Sequence, residues 1–307
     1  MDGTFFMIRY LRRAPLMVMA LCVAILALLG AGPSEAFELK PFKDRLFAYP
    51  RILDSRDGGD YLVIDYRERR DINGRDRVPE KRVNRRYVDL MPRRQQSDQT
   101  FETEAGPVKF IAVGNPKHAR LVTVFVHGRG GDRNLGVNDY TFGGNFNRIK
   151  NLMVRNNGVY ITPDGGSLGD TAVARIRALL HAVYRQVPGA RVVLACGSAG
   201  GAVCHALAHD QLTAGRLAGI ALLGSYGSDD FIGSAAYLNR VPVFIAHGGS
   251  DSVIPFEGPE SFYRSLRRTE GYPVRMVRFE TGGHGTPIRM TDWREMINWM
   301  LSVRLPG

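Results

Sequence analysis

The sequence predicts a layered α/β fold with a mostly parallel central sheet, helices on both faces and no large cap domain. Three observations predict it. Short apolar, β-branched runs recur at 108–113, 121–126, 159–162, 191–195, 219–223, 241–246 and 274–279. Continuous runs of this length suit strands buried on both faces of a parallel sheet. Helical stretches separate the runs, and such alternation implies right-handed βαβ crossovers. Each run also ends in a Gly-rich or polar loop, where ligands bind at the carboxyl edge of such sheets. No internal repeat or low-complexity tract interrupts the pattern.

The chain of 307 residues is 44% hydrophobic, enough for one sizeable core. Its three cysteines, Cys22, Cys196 and Cys204, are too few for a disulfide framework. Cys196 and Cys204 could pair after export, but buried free thiols are the default expectation.

Residues 1–36 read as an export signal. Arg9, Arg12 and Arg13 precede an uncharged apolar run at 16–30, and Ser34-Glu35-Ala36 offers a small-x-small cleavage site. The run of about 15 residues is short for a bilayer, which asks for roughly 20. Cleavage after Ala36 is expected, giving a periplasmic or secreted protein without stable membrane insertion. An uncleaved membrane anchor is the alternative. Cys22 lacks a convincing lipobox.

Residues 37–105 are expected to supply N-terminal strands and a basic loop region packed on the main domain, residues 106–307. A strand is expected at 61–66, another at 86–91, a turn at Asn73-Gly74 and a loop at 92–100. Between 51 and 94, 13 Arg/Lys face 9 Asp/Glu, part of a formal charge of +11. The mixed signs and the lack of helix-turn-helix or zinc-finger spacing favour a solvated face over nucleic-acid binding. Attraction to an anionic envelope or polymer is the functional alternative.

In the main domain, the runs at 108–113 and 121–126 are expected as an entering pair of strands joined by an Asn115-Pro116 turn. Asp170 is expected to cap a helix burying Val173, Ile176, Leu180 and Val183. Thr291 is expected to cap a last helix with Trp293, Met296, Ile297, Met300 and Leu301 along one stripe. Core packing is the expected role of these Trp and Met side chains.

Ser198 lies where the run at 191–195 passes into a helix. Such a sharp turn exposes a serine oxygen above the sheet edge, and Gly197, Ala199 and Gly200 let the backbone fold tightly. The pattern G-x-S-x-G appears as Cys196-Gly-Ser-Ala-Gly200. A serine needs an adjacent base. His284, in the Gly-flanked loop after the last run, is the candidate, with Asp251 as the acid that orients it. Asp229 or Asp230 is the rival acid, and His127 and His247 are the rival bases. The order Ser198, Asp251, His284 is the Ser…Asp…His order of such sites. Oxyanion donors are expected from the backbone N–H of Ala199 and from Arg129, with Gly128 next. The loop 132–147 is expected to line an acyl pocket through Tyr140, Phe142 and Phe146. His205 and His209 stand at metal-binding spacing, but no third ligand is evident, so no metal is expected.

These motifs resemble the α/β-hydrolase superfamily from about Gly106 to the C-terminus. The His127-Gly128 loop, the serine turn, the Gly249-Ser-Asp-Ser-Val-Ile-Pro255 turn and the Gly282-Gly-His-Gly285 loop carry the likeness. Ser198-Ala-Gly-Gly-Ala202 is most similar to secreted esterases of the polyhydroxybutyrate depolymerase and feruloyl esterase group. Cys196 replaces the first glycine of the family motif. The resemblance implies hydrolysis of a small or polymeric ester through an acyl-enzyme, with water as second substrate and no cofactor. A peptidase or amidase on the same triad, and a catalytically silent envelope protein, are the alternatives. Only about 15 residues separate Ser225 from Val241, too few for an inserted cap, so an open site is expected.

Overall fold

The computed structural model describes residues 37–303. Among the described residues twelve strands form in chain order. The first five are β1 (Ile52–Arg56), β2 (Tyr61–Ile64), β3 (Asp76–Val78), β4 (Arg82–Val83) and β5 (Gln96–Phe101). Then come β6 (Val108–Val113), β7 (Leu121–Val126), β8 (Val159–Pro163) and β9 (Arg191–Gly197). The last are β10 (Leu217–Leu223), β11 (Val243–Gly248) and β12 (Val274–Phe279). Ten make one sheet in the order β1-β2-β12-β11-β10-β9-β7-β8-β6-β5, and β3 and β4 pair as a separate hairpin.

The central strands are parallel: β8 with β7, β7 with β9, and so on through β10, β11 and β12 to β2. Every residue of β7, β10 and β11 is buried, as expected for strands covered on both faces. Their side chains join Ile176, Leu180, Val183, Val203, Leu207 and Leu266 from the helices in the main core.

Both sheet edges come from residues before Gly106. β1 runs antiparallel to β2 on one side, and β5 runs antiparallel to β6 on the other. The run 92–100 is therefore not a loop: a short 3₁₀ turn, Met91–Gln95, leads directly into β5. Its residues Gln96 to Thr100 are all exposed, so an edge strand there carries no apolar signature. The expected strand at 86–91 is also absent. Arg85–Tyr87 is a 3₁₀ turn that buries Tyr87 edge-on against Phe47. The Asn73-Gly74 signal falls at the end of a short π-helical turn, Arg69–Asn73, whose Arg69 carbonyl accepts from the Gly74 amide. β6 and β7 follow each other through the Asn115 turn but are not neighbours, because β8 lies between them.

Two caps shift by one residue. Gly169 precedes the helix Asp170–Gln186, in which Asp170 is the first residue. Asp292, not Thr291, caps the helix Trp293–Ser302, accepting from the amides of Arg294 and Glu295. The Thr291 hydroxyl instead donates to the Pro287 carbonyl at 2.7 Å. Among the described residues no helix is long and apolar enough to cross a membrane. The expected export signal, with Cys22, lies outside the described residues.

Candidate active site

β9 ends at Gly197, a 3₁₀ turn covers Ser198–Gly200, and the helix Gly201–Ala208 follows. Ser198 has φ of 50°, the left-handed region that an L-residue adopts only when its surroundings impose it. Three features impose it here. The buried Ser225 hydroxyl donates to the Ser198 carbonyl at 2.7 Å. Gly200 packs so closely on β7 that an added Cβ would lie 2.8 Å from the Val126 carbonyl oxygen. The third is a disulfide between Cys196 and Cys204, which joins the end of β9 to the following helix across the turn. Free thiols at these positions are thus corrected. The turn brings the two Cα atoms within 6.2 Å, inside the range a disulfide spans.

His284 follows β12, in the short loop before the helix Thr286–Met290. Its Nε2 lies 2.7 Å from Ser198 Oγ, and its Nδ1 lies 2.8 Å from Asp251 Oδ2. The other carboxylate oxygen, Oδ1, accepts from the amides of Val253 and Ile254 at 2.8 and 3.0 Å. Burial alone would raise the Asp251 pKa. The Ile254 amide, His284 and the Val253 amide outweigh it and hold the carboxyl below its ordinary value. A hydroxyl, an imidazole and an ionised carboxylate thus stand in one hydrogen-bonded line. Asp229 and Asp230 are exposed on a 3₁₀ turn after β10.

The rival histidines have other partners. His127 is fully buried, donates from Nδ1 to the Gly128 carbonyl at 2.7 Å and accepts the Gly165 amide at Nε2, at 2.8 Å. It fixes the loop after β7. His247 is also fully buried; its Nε2 is 2.8 Å from the Ile254 carbonyl and 3.3 Å from Asp251 Oδ2. Burial lowers its pKa and keeps the ring neutral, so the Nε2–H is shared between those two oxygens. His205 faces Tyr226, Phe231 and Phe262, with Nε2 3.2 Å from the Tyr226 carbonyl. Among the described residues no three His, Cys, Asp or Glu side chains gather as metal ligands.

The loop after β7 runs against the serine. A Cβ added to Gly128 would lie 2.9 Å from Ser198 Cβ, so only glycine fits this approach. Ala199 follows Ser198 within the 3₁₀ turn that leads into the helix Gly201–Ala208. The Arg129 side chain is exposed.

A cavity of about 430 Å³ lies beside His284. Of the three aromatic residues expected to line a pocket, only Phe142 borders it. Phe146 is fully buried behind Phe142, with its ring against Phe125, because it belongs to the helix Asn145–Arg155 under the sheet. Tyr140 is covered by the Arg82 guanidinium, 4.9 Å from its ring centre. The loop itself is anchored, since buried Lys150 reaches Asp139 and the Val137 carbonyl, each at 2.7 Å. Sequence reasoning missed the opposite wall of the cavity: Tyr66, Glu68, Ile72 and Glu80. No local motif marks these residues, because long-range strand pairing brings them here.

The strand order and the strained serine turn define this chain as having the α/β-hydrolase fold. No family model matches it, and no curated protein matches its sequence. Solved structures share the fold. A protein of unknown function from Agrobacterium tumefaciens, provisionally assigned as an alpha/beta hydrolase, matches with TM-score 0.54 and 13% identity over 69% of this chain and 100% of its own. An esterase from Pyrococcus furiosus matches with TM-score 0.51 and 14% identity, over 73% of this chain and 98% of its own. A lidless serine hydrolase from Xanthomonas campestris matches with TM-score 0.50 and 18% identity, over 69% and 96%.

Proposed function

We propose that this chain is an exported serine hydrolase that cleaves carboxylic esters through an acyl-enzyme. The hydrogen-bonded line Ser198–His284–Asp251 carries this reading. His284 Nε2 takes the hydroxyl proton as Ser198 Oγ attacks the ester carbonyl carbon. Asp251, held ionised, stabilises the imidazolium that results. The oxyanion faces the amides of Ala199 and Arg129, with that of Gly128 next in the same loop. Collapse breaks the acyl–oxygen bond, and His284 hands its proton to the departing alcohol. Water then repeats the sequence on the acyl-enzyme and releases the acid.

The site lies open, which suits polymeric or surface-bound esters. Between β10 and β11 the chain forms only a 3₁₀ turn and one short helix, Ala235–Leu238, so no inserted domain encloses it. The esterase from Pyrococcus furiosus and the lidless hydrolase from Xanthomonas campestris are in keeping with this. Export rests on residues 1–36, with cleavage after Ala36. A buried disulfide fits an oxidising compartment. Affinity with polyhydroxybutyrate depolymerases or feruloyl esterases is part of the proposal.

The test treats the folded protein with a fluorophosphonate and with para-nitrophenyl esters of increasing acyl length, a polyester and a feruloyl ester. Labelling at Ser198 and ester turnover, both lost in Ser198→Ala, are expected. A folded sample that takes no label overturns the reading. Cleavage of peptides in preference to esters would establish the amidase alternative.

A further inference from the structure

We propose that the cavity beside His284 is the subsite of the leaving group, and that residues upstream of the hydrolase core select that group. The inference rests on the serine hydrolase reading above and adds which half of the ester is recognised, and by what.

The cavity is lined by His284 and its neighbours Gly283 and Gly285, but by none of Ser198, Gly128, Arg129 and Ala199, so it meets the site through the imidazole. In acyl transfer the carbonyl oxygen must face the oxyanion donors, whereas the leaving oxygen must face the imidazole that protonates it. A cavity bordered by the base and not by the oxyanion loop therefore lies on the leaving side. Its volume of about 430 Å³ suits a bulky alcohol, since ligand pockets span roughly 300–1,000 Å³.

One wall comes from a part of the chain with no place in the serine motifs. β2 pairs parallel to β12, so the residues after β2 emerge beside the loop that carries His284. Tyr66 is held there by its carbonyl, which accepts from the Thr281 hydroxyl at 2.8 Å. Ile72 and Glu80 follow along the same wall, and Phe142 closes the other side. The wall is pinned on both flanks. Arg289 pairs with Asp76, and the Val83 amide donates to the Tyr140 carbonyl at 3.0 Å.

The charge of this cavity opposes that of the chain. Arg289, its cation, is neutralised by Asp76. Glu68 and Glu80 are exposed and make no ion pair among the described residues. Thr141 also borders the cavity; its hydroxyl oxygen is buried and has no hydrogen-bond partner among the described residues. The leaving group favoured is accordingly a bulky alcohol that is neutral or cationic, and an anionic one is disfavoured.

Two ester series test this. In one, a fixed acyl group carries alcohols of increasing size and of cationic, neutral or anionic charge. In the other, a fixed alcohol carries acyl groups of increasing length. The Glu68→Gln/Glu80→Gln protein, changed only at exposed positions, is expected to lose the cationic-over-anionic preference in kcat/KM by about threefold per carboxylate and roughly tenfold together. Ile72→Trp, which fills the cavity, is expected to penalise bulky alcohols while the ranking of acyl lengths stays. If both variants instead reorder the acyl series, or alter neither series, the subsite assignment is overturned. Failure of the unmodified protein to take a fluorophosphonate label would sink the hydrolase reading itself, and the assignment with it.

Discussion

The Arg289 guanidinium grips the Asp76 carboxylate with both terminal nitrogens, at 3.1 and 2.6 Å, with both side chains almost fully buried. This pair ties β3, upstream of the hydrolase core, to the helix just after His284. Removing one partner leaves the other buried and uncompensated. Arg289→Met is expected to cost about 3–5 kcal/mol, read as a lowered urea midpoint at unchanged slope. Arg289→Lys is not expected to rescue, because an ammonium cannot reproduce the planar two-nitrogen contact. A wild-type midpoint in Arg289→Met would refute the role.

Asp251 orients His284 and is itself fixed by two amides. Asp251→Asn keeps the shape but favours the wrong imidazole tautomer. A fall in kcat of about 10³–10⁴-fold, with KM little changed, is expected. Steady-state kinetics on a para-nitrophenyl ester decide it.

Gly128 touches the serine. Gly128→Ala places a methyl 2.9 Å from Ser198 Cβ, which must push the loop back or turn the serine aside. Loss of about 10²-fold in kcat is expected, the scale of one lost oxyanion donor. Unchanged turnover in a folded variant would show that the loop does not serve the reaction.

The disulfide closes a sequence separation of 8 residues around Ser198. Loop-closure entropy puts its stabilisation at about 2–3 kcal/mol. Cys196→Ala/Cys204→Ala is expected to lower Tm and, because the turn is freed, to slow fluorophosphonate labelling even where the protein stays folded. Labelling at the native rate would limit the bridge to global stability.

Stability should depend on pH in a definite direction. Burial lowers the pKa of His205 and of His247, so the folded chain keeps both neutral while the unfolded chain binds protons near the ordinary value of about 6.5. Stability therefore falls as pH drops below about 6.5, until the folded-state values are passed. Asp251 is depressed, so its contribution is present above about 3.9 and is lost as pH falls through its folded value. Urea midpoints from pH 8 to 4 are the measurement. His247→Gln is expected to flatten the first phase, and an equal slope in that variant would contradict its buried neutral state.

The legible part of this protein was local. Ser198 stood out because a left-handed turn between strand and helix needs small neighbours, and such neighbours are visible in the chain. Asp251 and His284 stood out because each follows its own apolar run. Phe146 misled for the opposite reason: an aromatic residue near a loop reads alike whether its ring meets solvent, substrate or core. The pairing of Cys196 with Cys204 depended on how sharply the elbow turns, which spacing alone leaves open.

What the sequence determined by itself was the periodic alternation of buried strands and helices, and the order of the three residues at the strand ends. Burial and backbone geometry write both into neighbouring residues. Only the tertiary structure decided that residues 96–101, polar but for Phe101, form an edge strand, that β2 docks on β12, and that Tyr66, Glu68, Ile72 and Glu80 face His284. The last two span some 200 residues, whereas β5 pairs with nearby β6 as a solvent-facing edge; long-range pairing and an exposed edge alike leave no apolar period in the chain to read.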